Sequence, residues 1–216
     1  GRFVSALCGL FTLLGVMYGG WLLSGKKLAF WAGLVTLLSP FLFFYNRFAV
    51  MEGMMIMFGV WVFNLSLLLA RTRRLDIALI LGIWTGLALL VKSPSMFFML
   101  LIPSAYLLEV DFKHLFTKQT FIFLFLVTIS WGMAEVINNI QRLSPWMYMI
   151  KEKNSFFIVP YDEIFKDMTR LTNNFQDIWR WHSAYTTIPV LLTALVGLYF
   201  WLRQSWRQGL LTFGWF

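Results

Sequence analysis

The chain has 216 residues, of which 59% are hydrophobic, 19% aromatic and only 13% charged. A soluble domain carries about 25% charged residues, so the composition excludes an ordinary water-soluble globule and points to the membrane. The net charge of +8 is not a nucleic-acid signature, because the basic residues punctuate the ends of apolar runs, where they set orientation. The lone Cys8 excludes an intrachain disulfide.

Apolar runs fall at about 3–23, 28–45, 51–70, 75–91, 95–110, 120–140 and 188–202, and another begins near 208. Most approach the roughly 20 residues a helix needs to cross about 30 Å of hydrocarbon. They are too long for barrel strands, and backbone in lipid must satisfy its own hydrogen bonds. The expected fold is therefore an all-α membrane protein, a polytopic transmembrane helix bundle of about seven spans plus the start of an eighth. Six spans fall in 1–140, an extracytoplasmic segment in 141–187, and further transmembrane helices, truncated, in 188–216. The start at Gly1-Arg2 and the stop inside "LLTFGWF" read as an internal piece of a longer membrane protein.

Sidedness follows from the Lys and Arg of alternate connections. One set holds Lys26, Lys27, Arg71, Arg73, Arg74, Lys113, Lys118, Arg203 and Arg207, while the short connections of the other hold only Arg47 and Lys92. The first set is expected to be cytoplasmic. The turns at 45–51 and 92–94, and the segment 141–187, then face outward from a plasma (inner) membrane. Within 141–187, Ile164, Met168, Leu171, Phe175 and Ile178 recur at helical spacing, and Asp162 and Glu163 follow Pro160 in the first turn. The expectation is an amphipathic helix on the outer leaflet, ending in a Trp179, Trp181 and Tyr185 belt.

Costly charges gather at the outer ends. Glu52, in the first turn of its helix, either answers the helix dipole and pairs with Arg47, or is a carboxylate kept for a task. Arg47 and Lys92 either snorkel to headgroups or grip the phosphate of a lipid-linked donor, Arg with a fork and Lys as a point charge. Pro94 breaks the helix after Lys92 and exposes that lysine at a turn. Glu135 sits near the end of an otherwise apolar run, with Lys92 or a cavity water as its expected partner. Glu52, Arg47 and Lys92 are expected to line one outward cavity. His114 and His182 lie on different faces and make no metal site, and no His-Glu-x-x-His, cysteine pair or Gly-rich phosphate loop is present. The "NLS" at Asn64 matches a glycosylation acceptor but falls inside an apolar run.

The order of short motifs is more informative than any one of them. Arg2 through Gly9 reads "RFVSALCG", Gly25-Lys26-Lys27 forms a basic turn, and Ser39-Pro40 precedes Arg47. Glu52 then opens a helix, Gly86 through Pro94 reads "GLALLVKSP", and Trp181, Tyr185 and Pro189 follow downstream. This pattern resembles the dolichyl-phosphate-mannose–protein mannosyltransferase-like family of GT-C type glycosyltransferases, to which bacterial aminoarabinose transferases are related. The likeness covers about residues 1–110 and, more loosely, 175–200. The family usually has Asp at the position of Glu52 and Gly at that of Ser93.

The resemblance implies a GT-C fold and transfer of a sugar from a polyprenyl-phosphate donor to a protein or lipid acceptor on the extracytoplasmic face. Residue by residue it carries a catalytic role to Glu52 and substrate binding to Arg2, Arg47 and Lys92; Glu135 and Tyr185 join them as substrate-binding candidates. The family's main catalytic acid is expected upstream of Arg2. No cofactor is specified, and a divalent cation is left open. The competing readings are a transporter or flippase of a lipid-linked or anionic solute, which would place ionisable groups near the midplane, and a structural membrane subunit, which would tolerate neutral replacements at Glu52, Lys92 and Glu135.

Overall fold

The structure, a computed structural model, describes residues 1–48, 50–110, 116–149, 152, 168–186 and 188–215. Regular structure among them is helical throughout: α1 (Arg2–Ser24), α2 (Lys26–Leu38), α3 (Pro40–Tyr45), α4 (Met51–Thr72), α5 (Leu75–Val91), α6 (Met96–Leu101), α7 (Ser104–Glu109), α8 (Lys118–Asn138), α9 (Met168–Thr186) and α10 (Ile188–Trp215). Among the described residues, four stretches are long and apolar enough to cross a membrane: Arg2–Ser24, Met51–Thr72, Lys118–Leu143 and Ile188–Trp206. The chain divides into two compact units, 1–138 with 197–216, and 139–196.

In the first unit α4 is the central element. Its sequence is apolar on every face, as suits a helix surrounded by others, and Val62, Leu67 and Leu69 are fully buried. Polar side chains of α4 reach backbone carbonyls of α1: Trp61 Nε1 donates to Phe11 O at 3.1 Å, Asn64 Nδ2 to Gly15 O at 2.8 Å and Arg71 Nη2 to Leu22 O at 2.8 Å. The partners are separated by 50, 49 and 49 residues, so the two helices run parallel in a fixed register. Gly15 and Gly19 permit this approach, since a Cβ on Gly19 would lie 2.6 Å from Asn64 Oδ1. The buried Asn64 is thus an interhelical bridge and presents no surface to a glycosylating enzyme.

A tight turn at Arg73, in the left-handed region at φ 51°, sends α5 back along α4. α8 then packs parallel to α5. Ser130 Oγ donates to Ala78 O at 2.7 Å, a Cβ on Gly82 would meet Ser130 O at 2.6 Å, and one on Gly86 would meet Ile137 Cβ at 2.7 Å. Small residues four apart are a common means of close helix packing in membranes.

Two apolar runs expected as single spans are broken. The run 28–45 divides at Ser39, which is extended (φ −67°, ψ 116°), because Pro40 opens a new helix. The run 95–110 divides into two six-residue helices at Ile102–Pro103. Pro103 has no N–H for Met99 O, which accepts from Ile102 N at 3.3 Å and from Trp131 Nε1 at 3.1 Å. The expected separation between the run 188–202 and a new one near 208 is present as a break at Ser205 (φ −154°, ψ 81°), where α10 joins two helical stretches.

The second unit, described by itself, contains α9, a 3-10 turn at Asn139–Leu143 and the first residues of α10. Phe175, Ile178, Trp179 and Trp181 of α9 are exposed. The expected helix start at Asp162, Glu163 and Ile164 lies outside the described residues.

Candidate functional site

α3 ends at Tyr45 in a turn in which Asn46 N donates to Leu42 O at 2.9 Å and Arg47 N to Phe44 O at 3.1 Å. Val50 is extended (φ −118°, ψ 154°), and α4 starts immediately after it, which puts Glu52 in the first turn, where an acid complements the exposed N–H groups. Asn46 fixes how this turn meets the bundle. A Cβ on Gly9 of α1 would fall 2.5 Å from Asn46 Cγ, and one on Gly53 of α4 would fall 3.4 Å from Asn46 Oδ1. The amide is therefore wedged between two glycines on two helices.

The partner of Glu52 is Lys92 and not the nearer Arg47. α5 stops because Pro94 cannot continue its hydrogen-bond ladder. Lys92 becomes extended (φ −160°, ψ 135°), and its Nζ donates to Glu52 Oε1 at 3.0 Å. Both side chains are part exposed, at 44% and 38%. Arg47 instead lays its guanidinium 4.7 Å from the centroid of the Phe43 ring. It rims a largely apolar cleft of about 340 Å3 against Leu10, Leu13 and Leu37, with Asn46 beside it. The cleft and the Glu52–Lys92 pair are two features of one end of the unit, with Asn46 between them.

The remaining candidates divide between the units. The parallel register of α1 on α4 brings the exposed Arg2 level with the first turn of α4. The parallel packing of α8 on α5 carries the exposed Glu135, next to Ala134, toward the Lys92 end. Tyr185 belongs to α9 in the second unit, and its side chain lies outside the described residues. Among the described residues no three His, Cys, Asp or Glu side chains gather to hold a metal. Glu52 is a single carboxylate already bonded to an ammonium, a donor set that does not fit a divalent cation.

Asn46 is not among the candidates the sequence singles out. Its signal is positional, since Gly9 and Gly53 are small residues where α1 and α4 meet its amide. The chain matches no protein-family model, no curated protein and no solved structure.

Proposed function

We propose that this protein is an integral-membrane glycosyltransferase that moves a sugar from a polyprenyl-phosphate donor to a protein or lipid acceptor at the membrane face occupied by Glu52. The observation that carries the reading is the Glu52–Lys92 contact, 3.0 Å across the ends of two helices. It stands at the same end as Arg2 and beside the apolar cleft that Arg47 rims. An acid, two or three cations and an apolar trough are what a lipid-linked phosphosugar requires.

In the proposed reaction the acceptor oxygen bonds to the anomeric carbon while the sugar–phosphate bond breaks. The acceptor proton passes to a carboxylate, and the electron pair leaves with the phosphate. Lys92 orients Glu52, which receives that proton. Arg47 and Arg2 face the phosphate, where charge increases as it departs. The GT-C architecture, its seven spans and an outward active face belong to the same proposal.

The test is Glu52→Gln in the full-length protein, assayed in membranes with a labelled polyprenyl-phosphate sugar. Transfer is expected to fall by about a hundredfold, within the range typical of removing an acid–base group, at unchanged expression and melting temperature. Undiminished transfer removes Glu52 from the mechanism. Substrate translocation without transfer replaces the reading with a transporter.

A further inference from the structure

The end of the first unit remote from Glu52 contains a second cavity, of about 650 Å3, between the α1–α2 corner and residues 197–208 of α10. Its lining has two characters. Ser24, Gln204, Ser205 and Gln208 contribute hydrogen-bonding groups. Leu28, Phe200 and Trp201 contribute an apolar wall. The volume is that of a small-ligand site.

The break in α10 belongs to this cavity. Ser205 leaves helical geometry (φ −154°, ψ 81°) one residue before the end of a stretch long and apolar enough to cross a membrane, and it lines the cavity. Ser205 Oγ donates to Gln208 Oε1 at 3.1 Å, and Gln208 Nε2 donates to Leu108 O at 3.4 Å. Those two groups are occupied with one another and with α7. Among the described residues, Gln204 and Ser24 have no side-chain hydrogen-bond partner, so they are available to a ligand.

The surroundings are cationic. Lys26 and Lys27, both exposed, follow the lining residue Ser24, and exposed Arg203 precedes Gln204. Glu109, which follows the Leu108 whose carbonyl Gln208 bonds, is itself bonded to Arg71 at 2.7 Å. That pair also braces the wall, since Arg71 Nη2 donates to Leu22 O, next to the lining residue Leu23.

We propose that this cavity binds the headgroup of an anionic glycerophospholipid. Gln204 and Ser24 bond the phosphate and glycerol oxygens, Lys26 and Lys27 supply the countercharge, and an acyl chain lies on Leu28, Phe200 and Trp201. A choline headgroup would carry its own cation toward the two lysines and is disfavoured. A soluble phosphate would leave the apolar wall unfilled. The site lies at the opposite end from Glu52 and does not depend on the proposed transfer reaction.

The experiment is native mass spectrometry of the full-length protein released from nanodiscs of equal phosphatidylglycerol and phosphatidylcholine. Phosphatidylglycerol is expected to be retained in preference. Each of Lys26→Gln and Lys27→Gln is expected to lower that preference about fivefold, the weight of one basic residue near an anionic surface. Gln204→Leu, at an exposed position, weakens retention without moving the melting temperature. Equal retention of the two lipids overturns the proposal, as does a preference unchanged in all three variants. Displacement of the bound lipid by sn-glycerol 3-phosphate alone, or by polyprenyl phosphate in preference to phosphatidylglycerol, also overturns it.

Discussion

The acids at the two ends of the first unit are paired in different ways. At the basic end, Asp76 is bonded within its own turn and Glu109 by an arginine that also braces α1. Arg74 reaches Asp76 two residues away at 2.6 Å, and Arg71 joins α4 to a carbonyl of α1 and to Glu109 of α7. At the other end an acid is joined to a cation 40 residues away in the chain, and Arg47, among the described residues, has an aromatic ring rather than a carboxylate beside it. Charges that only stabilise a fold need satisfied partners, whereas a site that must bind an anion needs a cation whose carboxylate is absent or easily exchanged. Arg71 and Arg74 meet the first description, whereas Arg47 at one end and Lys26 and Lys27 at the other have no ion pair among the described residues.

The strongest way to break this comparison is to invert the pair. In the full-length protein, Glu52→Lys combined with Lys92→Glu keeps the attraction and reverses its direction. If the contact is only structural, the double variant recovers what the single changes lose. The proposed reaction gives another result: melting temperature recovers, while sugar transfer stays about a hundredfold down, because an ammonium now occupies the place of the base. Transfer that returns with stability would make both ends alike.

The next effect is smaller and belongs to the basic end. Arg71→Leu removes two charge-assisted hydrogen bonds and leaves Glu109 without its cation. The expected cost is about 2 kcal/mol, toward the low side of the range for charged partners because Arg71 is a third exposed. The loss should be read as a lower melting temperature in detergent. Transfer per folded molecule should hold, since Arg71 lies at the far end from Glu52. A fall in specific transfer at unchanged melting temperature would reverse the roles assigned to the two ends.

Much of this arrangement was legible in the sequence, and the misses have identifiable causes. The lengths of α1, α4 and α8 follow from uninterrupted apolar runs, because hydropathy responds to how far a helix can continue in lipid. The runs 28–45 and 95–110 looked equally greasy, but hydropathy does not register the missing N–H of Pro40 and Pro103. The sequence placed Glu52 at a helix start, yet proximity along the chain favoured Arg47 as its partner. Lys92 is the observed partner because the α4–α5 hairpin returns the chain to its starting level, and such pairing exists only in three dimensions. The pairs Gly15–Gly19 and Gly82–Gly86 are small residues four apart that sequence reasoning did not single out. That they fit against Asn64 and Ser130 depends on register, set by the carbonyl bonds of Trp61, Asn64 and Ser130.

The smallest expected effect sharpens the comparison from its quiet side. Arg74 donates to Asp76 through two nitrogens, at 3.0 and 2.6 Å, which makes this pair better aligned than the single bond between Lys92 and Glu52. Geometry alone would rank it as the more important. Both side chains are more than half exposed, at 66% and 54%, so water and salt screen the attraction and compete for both groups. Each partner also lies within one turn of the other and constrains no second helix. Arg74→Gln should therefore leave the melting temperature and the sugar transfer unchanged, at low salt as well as high. A drop in stability that appears only at low ionic strength would show that the basic end relies on its local pairs as well as on the Arg71 brace.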